Sequence, residues 1–361
     1  MTLTTSIPAL SRIENRYDFA CVESVQNYFN ACRKYNDANL WPIRMYTSLN
    51  LFLWHLDAFS EDKDPSDDFA KKFNLCANLI TDLGNNGIFV NEKMNKNVNA
   101  GNFEEKVSGL FSDIWVDMSD DIYFDETFEF TCERLQKNNI NPELFFKDKI
   151  VLDAGCGSGK FSATIARLGA KKVYGLDIGK KGLEFAKNQS LKKQYCSRIE
   201  YIEGSLLDIP LNDGELDMVW SNGVIHHTLD YKKCLSEFNR VLKKEGELFL
   251  YVNGSFGLFE LLQDSLRICN EDIPRELFQN YIKSLGVNSG RLYWLMDCLY
   301  APYEYKSIEE VKNLLQVNGF NNLKQLTRGV AIDQIEQVTN NLPFAKIKYG
   351  DSQIKIICSK N

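Results

Sequence analysis

The 361-residue sequence is short of several features that identify particular classes of protein. Its ten cysteines form no CxxC pair and no regular spacing, so neither a disulfide framework nor a zinc finger is indicated. Only three histidines are present, too few to suggest a structural metal site. There is no apolar run of about 18 residues and no charged-then-apolar leader. We therefore expect a cytoplasmic protein with no metal and no membrane partner.

An excess of positive charge is also missing. With 42 Lys and Arg against 49 Asp and Glu, the net charge of -7 gives no general attraction to phosphate backbones or anionic membranes. Lysine pairs such as 171–172 and 243–244 are dispersed, and we interpret them as solvated helix ends and faces. A nucleic-acid acceptor is therefore not favoured, although a local basic patch is left open.

The first third of the chain differs in pattern from the rest. Residues 1–120 predict a mostly helical region, with an aromatic-rich helix at 41–59, a second helix near 69–83 and an asparagine-rich linker at 91–102. No motif in this region indicates chemistry. We leave open whether it covers an active site, mediates homo-oligomerisation or binds a protein partner.

From residue 121 onward, short apolar runs alternate with helical patterns. The predicted strands are 149–153, 172–177, 198–204, 216–223 and 247–253. An amphipathic helix is predicted at 231–246, with Gly246 as its stop signal. Repeated β–α units of this length predict an α/β fold, a parallel sheet covered by helices on both faces.

The stretch "KIVLDAGCGSGKF" at 149–161 carries the strongest signal. A strand, glycines and a helix N-terminus place backbone N–H groups at the edge where open α/β sheets bind ligands. A dinucleotide fingerprint needs a glycine where Lys160 stands, and a phosphate loop needs a hydroxyl where Phe161 stands. The G-x-G-x-G spacing therefore disfavours both.

Two longer segments resemble a known family. "VLDAGCGSGKFSATIARLGAKKVYGLDIG" and "LLDIPLNDGELDMVWSNGVIHHTLD" resemble motifs of the class I methyltransferases that depend on S-adenosylmethionine (SAM), in the small-molecule branch that includes methyltransferases of quinone biosynthesis. The resemblance covers roughly 121–361. It implies a Rossmann-like class I methyltransferase sheet whose last strand is antiparallel, a closing hairpin from 322–328 and 351–360, and a helical lid inserted at about 254–305.

The resemblance also implies a set of residues that bind SAM. They are Tyr123, Phe124, Asp153, Gly155, Cys156, Gly157, Gly159, Asp177, Ile178, Ser205, Leu206, Asn222 and Gly223. Asp177 would accept hydrogen bonds from both ribose hydroxyls, since a carboxylate has two oxygens to offer a vicinal diol. Ser205 stands where the family commonly has an acid. Arg134 either reaches the cofactor carboxylate or is a solvated helix residue, and we favour the second.

Candidate catalytic residues follow the fourth strand. His226 and His227 lie beside the expected methyl group, and histidine is the side chain most often used to take a proton near neutral pH. The alternative is a structural role in capping or packing. His55, on an apolar helix face, is expected in the core. Aromatic residues of the lid are candidates for the substrate wall, with core packing as the alternative: Tyr293, Trp294, Tyr300 and Tyr303.

These expectations combine into a function. The chain is expected to transfer the methyl group of SAM to an O, N or C nucleophile of a small molecule by in-line displacement. Two alternatives stay open: a module that binds SAM or S-adenosylhomocysteine (SAH) without catalysis, and a nicotinamide-dependent oxidoreductase, which the glycine spacing disfavours.

Overall fold

A computed structural model describes residues 6–11, 19–86, 120–287, 289–330 and 333–361. The predicted linker at 91–102 lies outside these ranges. The chain divides into two compact units. The helical unit comprises Met1–Ala100, Phe256–Ala301 and Asn341–Gly350. The sheet unit comprises Gly101–Ser255, Pro302–Asn340 and Asp351–Asn361. The insert after the fifth strand thus groups with the N-terminal helices. The domain boundaries expected from the sequence stay predictions.

Strands and helices are numbered in chain order. The strands are β1 (Ile150–Ala154), β2 (Lys172–Asp177), β3 (Ile199–Glu203), β4 (Leu216–Asn222), β5 (Leu242–Asn253), β6 (Phe320–Gln325) and β7 (Gln353–Lys360). The helices are α1 (Pro8–Ser11), α2 (Phe19–Lys34), α3 (Trp41–Ser60), α4 (Ser66–Asn85), α5 (Thr127–Lys137), α6 (Pro142–Phe146), α7 (Lys160–Arg167), α8 (Lys180–Ser190), α9 (Tyr231–Val241), α10 (Leu258–Cys269), α11 (Arg275–Ser284), α12 (Ser289–Tyr300), α13 (Ile308–Val317), α14 (Ile335–Thr339) and α15 (Ala345–Tyr349). A π-helical turn, Asp121–Glu126, leads into α5.

The seven strands form one sheet in the order β3-β2-β1-β4-β5-β7-β6. Strands β1 to β5 pair in parallel, and β7 runs antiparallel to both β5 and β6. This arrangement confirms the predicted Rossmann-like methyltransferase sheet and its closing hairpin. The strand order reverses between β1 and β4, and open α/β sheets bind their ligands at the carboxyl ends of the strands beside such a reversal.

Both faces of the sheet are buried, which explains why its central strands are nearly continuous apolar runs. Leu152 and Val219 lie in the core on one face with Phe238 of α9. On the other face Trp220 packs in the core with Phe146. Successive strand residues therefore alternate between two cores and fix the register of every strand.

One predicted boundary is wrong. The helix expected at 231–246 ends at Val241, because Leu242 is extended and pairs with Leu216 at the start of β5. The register then shifts, so that Met218 pairs with Glu247. Residues 243–246 therefore lie in an irregular stretch of β5 instead of a last helical turn. Leu242 is fully buried, and this explains why sheet pairing prevails over the helical pattern.

The helical unit has its own apolar core. His55 is 3% exposed and contacts the rings of Phe52 and Phe259, so the expectation of a core histidine is confirmed. Burial lowers the pKa of His55 to about 4, which keeps the ring neutral. Arg44 forms an ion pair with Asp272 within the same unit.

All ten cysteines are free thiols, and nine of them are buried. None of the helices in the described ranges combines the length and apolar character needed to cross a membrane.

The stacked pair of Trp220 and Phe249 provides a test of the core. Their ring centroids are 3.7 Å apart and both side chains are fully buried. We expect Trp220→Ala to lower the free energy of unfolding by about 3–5 kcal/mol, because it leaves a cavity. Trp220→Phe should lower it by less than about 2 kcal/mol, since a ring still covers Phe249. Denaturant unfolding followed by far-ultraviolet circular dichroism measures both. Equal losses in the two variants would contradict this account.

Candidate active site

The glycine loop after β1 is fixed against the end of β2. Gly155 N and Cys156 N both donate to the Leu176 carbonyl, at 2.8 and 2.9 Å. Gly159 N closes the turn by donating to the Cys156 carbonyl at 2.8 Å. The Cys156 side chain is buried and burial raises the pKa of its thiol, so this cysteine is held as a neutral packing group.

Two of the glycines are required by close approach and by backbone conformation. At Gly155 (φ +75°) a Cβ atom would lie 2.3 Å from Cγ1 of Val224, which follows β4. At Gly159 (φ +81°) it would lie 2.5 Å from the Tyr201 hydroxyl of β3. The loop is thus in contact with neighbouring strands on two sides, and a side chain at either position would displace it.

Asp177, at the end of β2, anchors the loop through its carboxylate. One oxygen accepts from Gly157 N and the other from Gly179 N, each at 2.8 Å. Burial raises the pKa of Asp177, and these backbone hydrogen bonds oppose that effect. A carboxylate can accept about four hydrogen bonds, so Asp177 retains capacity for a ligand hydroxyl.

Asp153, at the end of β1, is 2% exposed and accepts a hydrogen bond from the Ser162 hydroxyl at 2.6 Å. Burial, and secondarily the charge of Asp177, raises the pKa of Asp153 to about 7. Two carboxyl groups therefore lie at the ends of adjacent strands, close enough for the charge of Asp177 to contribute to the raised pKa of Asp153.

Tyr123 and Phe124 are both buried beneath the loop. The Tyr123 hydroxyl donates to the Ser158 carbonyl at 2.9 Å, and its ring contacts Phe124 and Phe185. Tyr123 therefore supports the glycine loop from below. The predicted contact of these two rings with a cofactor stays a prediction.

The remaining predicted cofactor residues lie near the same edge. Ile178 and Ser205 are half-buried, whereas Leu206 is buried in the core. Gly223 N donates to the Tyr251 carbonyl at 3.0 Å. The buried Asn222 Oδ1 atom, at the end of β4, has no hydrogen-bond partner in the described part of the chain. An oriented polar atom without a partner indicates a place for a ligand donor.

The two histidines lie in the turn beyond β4, close after Val224, whose side chain contacts the glycine loop. His226 is 3% exposed, and its ring stacks on Tyr303 with centroids 5.0 Å apart. Its carbonyl accepts from Glu304 N at 2.8 Å. His227 Nδ1 is 2.7 Å from the Pro302 carbonyl. Segment 302–304 thus holds both rings in place.

The electrostatics of the two rings differ. Burial, and secondarily the neighbouring His227, lowers the pKa of His226 well below its usual value. His226 is therefore neutral at physiological pH, and its Nδ1 has no partner among the residues that the structure describes. Because the Pro302 carbonyl can only accept, His227 carries its proton on Nδ1 when neutral, and Nε2 is then the basic nitrogen of the ring.

The predicted substrate residues divide between the two units. Tyr303 belongs to the sheet unit and contacts both histidines. In the helical unit, Trp294 contacts the rings of Phe52 and Phe259, and the Tyr300 hydroxyl donates to the Ile273 carbonyl at 3.1 Å. The side chain of Tyr293 lies outside the described residues. Substrate contacts of these four residues stay predictions.

The favoured interpretation of Arg134 is wrong. Its side chain is 4% exposed and forms two hydrogen bonds with Asp333, at 3.0 and 3.1 Å. Sequence reasoning also missed Asp333, Lys355 and Ser162. Lys355 gave a signal that could have been used, because it is a charge inside the apolar run "QIKIIC" of β7.

A separate depression of about 800 Å³ lies at the opposite edge of the sheet. Its charges are largely neutralised, since Lys149 pairs with Glu247 and Lys243 pairs with Asp217. It has no part in the site described above. Within the described ranges, no three His, Cys, Asp or Glu side chains are grouped so that they could hold a metal ion.

Comparison with known proteins gives a match in this region. A family model described as "Methyltransferase domain" matches residues 152–250. The chain is 33% identical over 135 residues to malonyl-[acyl-carrier protein] O-methyltransferase of Yersinia pestis, covering 36% of this chain and 48% of that protein. It is 26% identical over 199 residues to demethylmenaquinone methyltransferase of Staphylococcus carnosus, covering 51% and 74%. The chain thus spans about half the length of the first relative.

Among solved structures, the YcgJ protein from Bacillus subtilis aligns with a TM-score of 0.41 and 16% identity, covering 63% of this chain and 98% of that one.

The buried Asp153 generates a prediction about pH. Its folded pKa of about 7 exceeds the ordinary value of 3.8, so its protonated form stabilises the fold below pH 4. This contribution is lost as the pH rises through about 7. We therefore expect the free energy of unfolding of Asp153→Asn, relative to wild type, to rise by a few kcal/mol between pH 4 and pH 8. Each unit of pKa shift corresponds to about 1.4 kcal/mol.

Denaturant unfolding at several pH values measures the difference in the free energy of unfolding between Asp153→Asn and wild type. Asp208→Asn, at an exposed position, is the matched control. A difference between wild type and Asp153→Asn that does not change with pH would contradict the prediction.

Proposed function

Because residues 152–250 belong to the methyltransferase domain family of the class I SAM-dependent type, we propose that this protein transfers the methyl group of SAM to a small-molecule acceptor. The acceptor atom is an oxygen, nitrogen or carbon nucleophile, and the transfer is an in-line displacement. The observation that carries the proposal is the glycine loop held by the Asp177 carboxylate at the strand-order reversal.

The residues at this edge fit the cofactor. SAM supplies an electrophilic methyl group on a positively charged sulfur. Asp177 has acceptor capacity left for a ribose hydroxyl, and the loop that begins at the partly exposed Gly155 would lie along the rest of the cofactor. Asn222 Oδ1 and the Asp153 carboxyl provide acceptors for an ammonium group. A cationic ligand near Asp153 and Asp177 would favour the charged form of both carboxyl groups.

The histidines supply the acceptor side of the site. His227, with Nδ1 held by the Pro302 carbonyl, accepts the acceptor's proton at Nε2. His226 resists protonation and orients the acceptor by a hydrogen bond to Nδ1, while Tyr303 fixes the plane of its ring. Together they position the nucleophile, and positioning supplies much of the rate enhancement in displacements of this kind.

The direct test is transfer of labelled methyl from SAM into a fraction of small metabolites by the full-length protein. The proposal predicts label in a small molecule and no stable binding of NAD. Uptake of SAM without transfer of label would identify a non-catalytic binding module instead. Binding of NAD in preference to SAM would identify an oxidoreductase.

Asp177 gives the cofactor prediction. We expect Asp177→Asn to weaken SAH binding by about tenfold to a hundredfold, because charge-assisted hydrogen bonds to the ribose contribute about 1.5–3 kcal/mol. Calorimetry measures the affinity. Asp213→Asn, whose side chain is 81% exposed, is the control. Unchanged affinity in Asp177→Asn would remove the carboxylate from the cofactor site.

The histidines give the catalytic prediction. For an acceptor that must lose a proton, His227→Ala should lower kcat by about 10²–10³-fold, within the usual range for a general base. SAH affinity should change by less than about twofold, since neither ring is assigned to the cofactor.

Two variants of His226 separate the role of its ring from the role of its Nδ1 atom. His226→Phe keeps a ring to stack on Tyr303 but removes Nδ1, whereas His226→Ala removes both. We expect both variants to raise KM, the alanine variant more strongly. Unchanged turnover in the variants at 226 and 227 would exclude histidine from the mechanism.

A further inference from the structure

Three side-chain hydroxyls form a hydrogen-bonded chain beneath the glycine loop. They belong to Ser190 at the end of α8, Tyr201 on β3 and Tyr123 in the π-helical turn before α5. The Ser190 hydroxyl oxygen is 3.1 Å from that of Tyr201, and the hydroxyls of Tyr201 and Tyr123 hydrogen-bond to each other. The Tyr123 hydroxyl donates to the Ser158 carbonyl at 2.9 Å. This hydroxyl chain therefore connects α8 and β3 to the loop.

The protons of the hydroxyl chain have a defined order. Because Tyr123 gives its single hydroxyl proton to Ser158, the bond between the two tyrosines is donated by Tyr201. The Tyr201 oxygen can then accept from Ser190, whose proton can alternatively go to the Ala186 carbonyl at 3.0 Å. Burial raises the pKa of both tyrosines, so both keep the protons that these bonds require. Tyr201 thus strengthens the bond that Tyr123 makes to the loop.

Two glycines allow Tyr201 to reach the loop from the edge of the sheet, although β2 lies between β3 and β1. Tyr201 pairs with Gly175 of β2, where a Cβ atom would lie 2.6 Å from the Tyr201 ring. At Gly159 a Cβ atom would lie 2.5 Å from the Tyr201 hydroxyl and 2.9 Å from the Tyr123 hydroxyl. The ring therefore crosses β2 at a position without a side chain, and both hydroxyls lie directly against the loop.

The hydroxyl chain fixes the orientation of one peptide group, the one between Ser158 and Gly159. Its carbonyl accepts from Tyr123, and its N–H donates to the Cys156 carbonyl at 2.8 Å. Gly159, with φ +81°, is the residue from which α7 begins. The amide of Gly157, two residues earlier, is the one that donates to Asp177. The loop is thus held by a carboxylate at Gly157 and by the tyrosines at its exit into α7.

We infer that Tyr201 is a positioning residue for cofactor binding, which acts through Tyr123 on the peptide between Ser158 and Gly159. The inference rests on the proposed function for the identity of the cofactor. Tyr201 acts by holding the loop in one conformation before the cofactor arrives. A loop that is ordered in advance loses less conformational entropy on binding, so removal of the Tyr201 hydroxyl should lower the affinity for the cofactor.

Tyr201→Phe in the full-length protein tests the inference, because phenylalanine keeps the ring over Gly175 and removes only the hydroxyl. Calorimetry with SAH measures the affinity, and we expect it to fall by about three- to tenfold, the effect of one neutral hydrogen bond. Hydrogen–deuterium exchange of the peptide that carries the loop is measured without ligand. Exchange should be faster in Tyr201→Phe than in wild type, because the loop opens locally at a lower free-energy cost.

Tyr174→Phe is the matched control. Tyr174 lies on the neighbouring strand β2, its hydroxyl donates to Glu215 at 2.8 Å, and its ring packs in the core on the other face of the sheet. The control variant also loses a tyrosine hydrogen bond, but we expect its SAH affinity and the exchange of its loop to equal those of wild type. Equal effects of Tyr174→Phe and Tyr201→Phe would show a general loss of stability and would overturn the inference.

A double-mutant cycle separates action through Tyr123 from simple packing. Tyr123→Phe removes the bond to Ser158, so the further change Tyr201→Phe should cause little additional loss of SAH affinity. Losses that add fully would mean that Tyr201 acts independently of Tyr123, which contradicts the inference.

The exchange measurement keeps this inference separate from the proposed function. If wild type binds neither SAM nor SAH, the proposed function fails, and exchange of the loop in Tyr201→Phe still decides whether Tyr201 holds the loop. Exchange and SAH affinity that are both the same in Tyr201→Phe and wild type would remove Tyr201 from any positioning role.

Discussion

The hydrogen bonds between the glycine loop and the end of β2 are the constraint on which the candidate site depends. The Leu176 carbonyl and the Asp177 carboxylate together bind three successive amides of the loop, at Gly155, Cys156 and Gly157. They turn the chain away from β1 directly into α7 at the strand-order reversal. The same carboxylate is thus both the support of the loop and the expected partner of a ligand diol.

Burial shifts several groups along this edge toward their neutral forms. It raises the pKa of Asp153 to about 7, lowers that of His226, and lowers that of Lys355 to about 7. Asp153, His226 and Lys355 therefore share one property, a burial that disfavours their charged forms.

The central strands β1, β2 and β4 were predictable because each is a short apolar run that ends near an aspartate or asparagine, whereas the closing strands β6 and β7 were indicated by the family resemblance. The glycine loop was recognisable from its spacing, whereas Asp177 and the two histidines were indicated by the resemblance to the methyltransferase family, and their roles stay predictions. The end of α9 was not, since Leu242 continues the amphipathic pattern of the helix and only its pairing with Leu216 makes it a strand. The local sequence pattern cannot reveal a strand pairing that forms only in the folded protein and competes with the helix.

Arg134 illustrates the same limit at the site. Its partner Asp333 lies 199 residues later, so nothing near Arg134 in the sequence distinguishes a buried ion pair from a solvated charge. Lys355 was recognisable as an unusual charge within an apolar strand, but its neighbours came from α5 and the segment before α14. Contacts between residues far apart in the sequence therefore determine the burial and ion pairing of both side chains.

The most direct test of the account is a structure of the protein crystallised with SAH. The account predicts the ribose hydroxyls within hydrogen-bond distance of both Asp177 oxygens, the ligand backbone along the loop from Gly155 to Gly159, and the sulfur facing the turn that carries His226 and His227. Ligand bound elsewhere, or at this edge with Asp177 making no contact to it, would contradict the account.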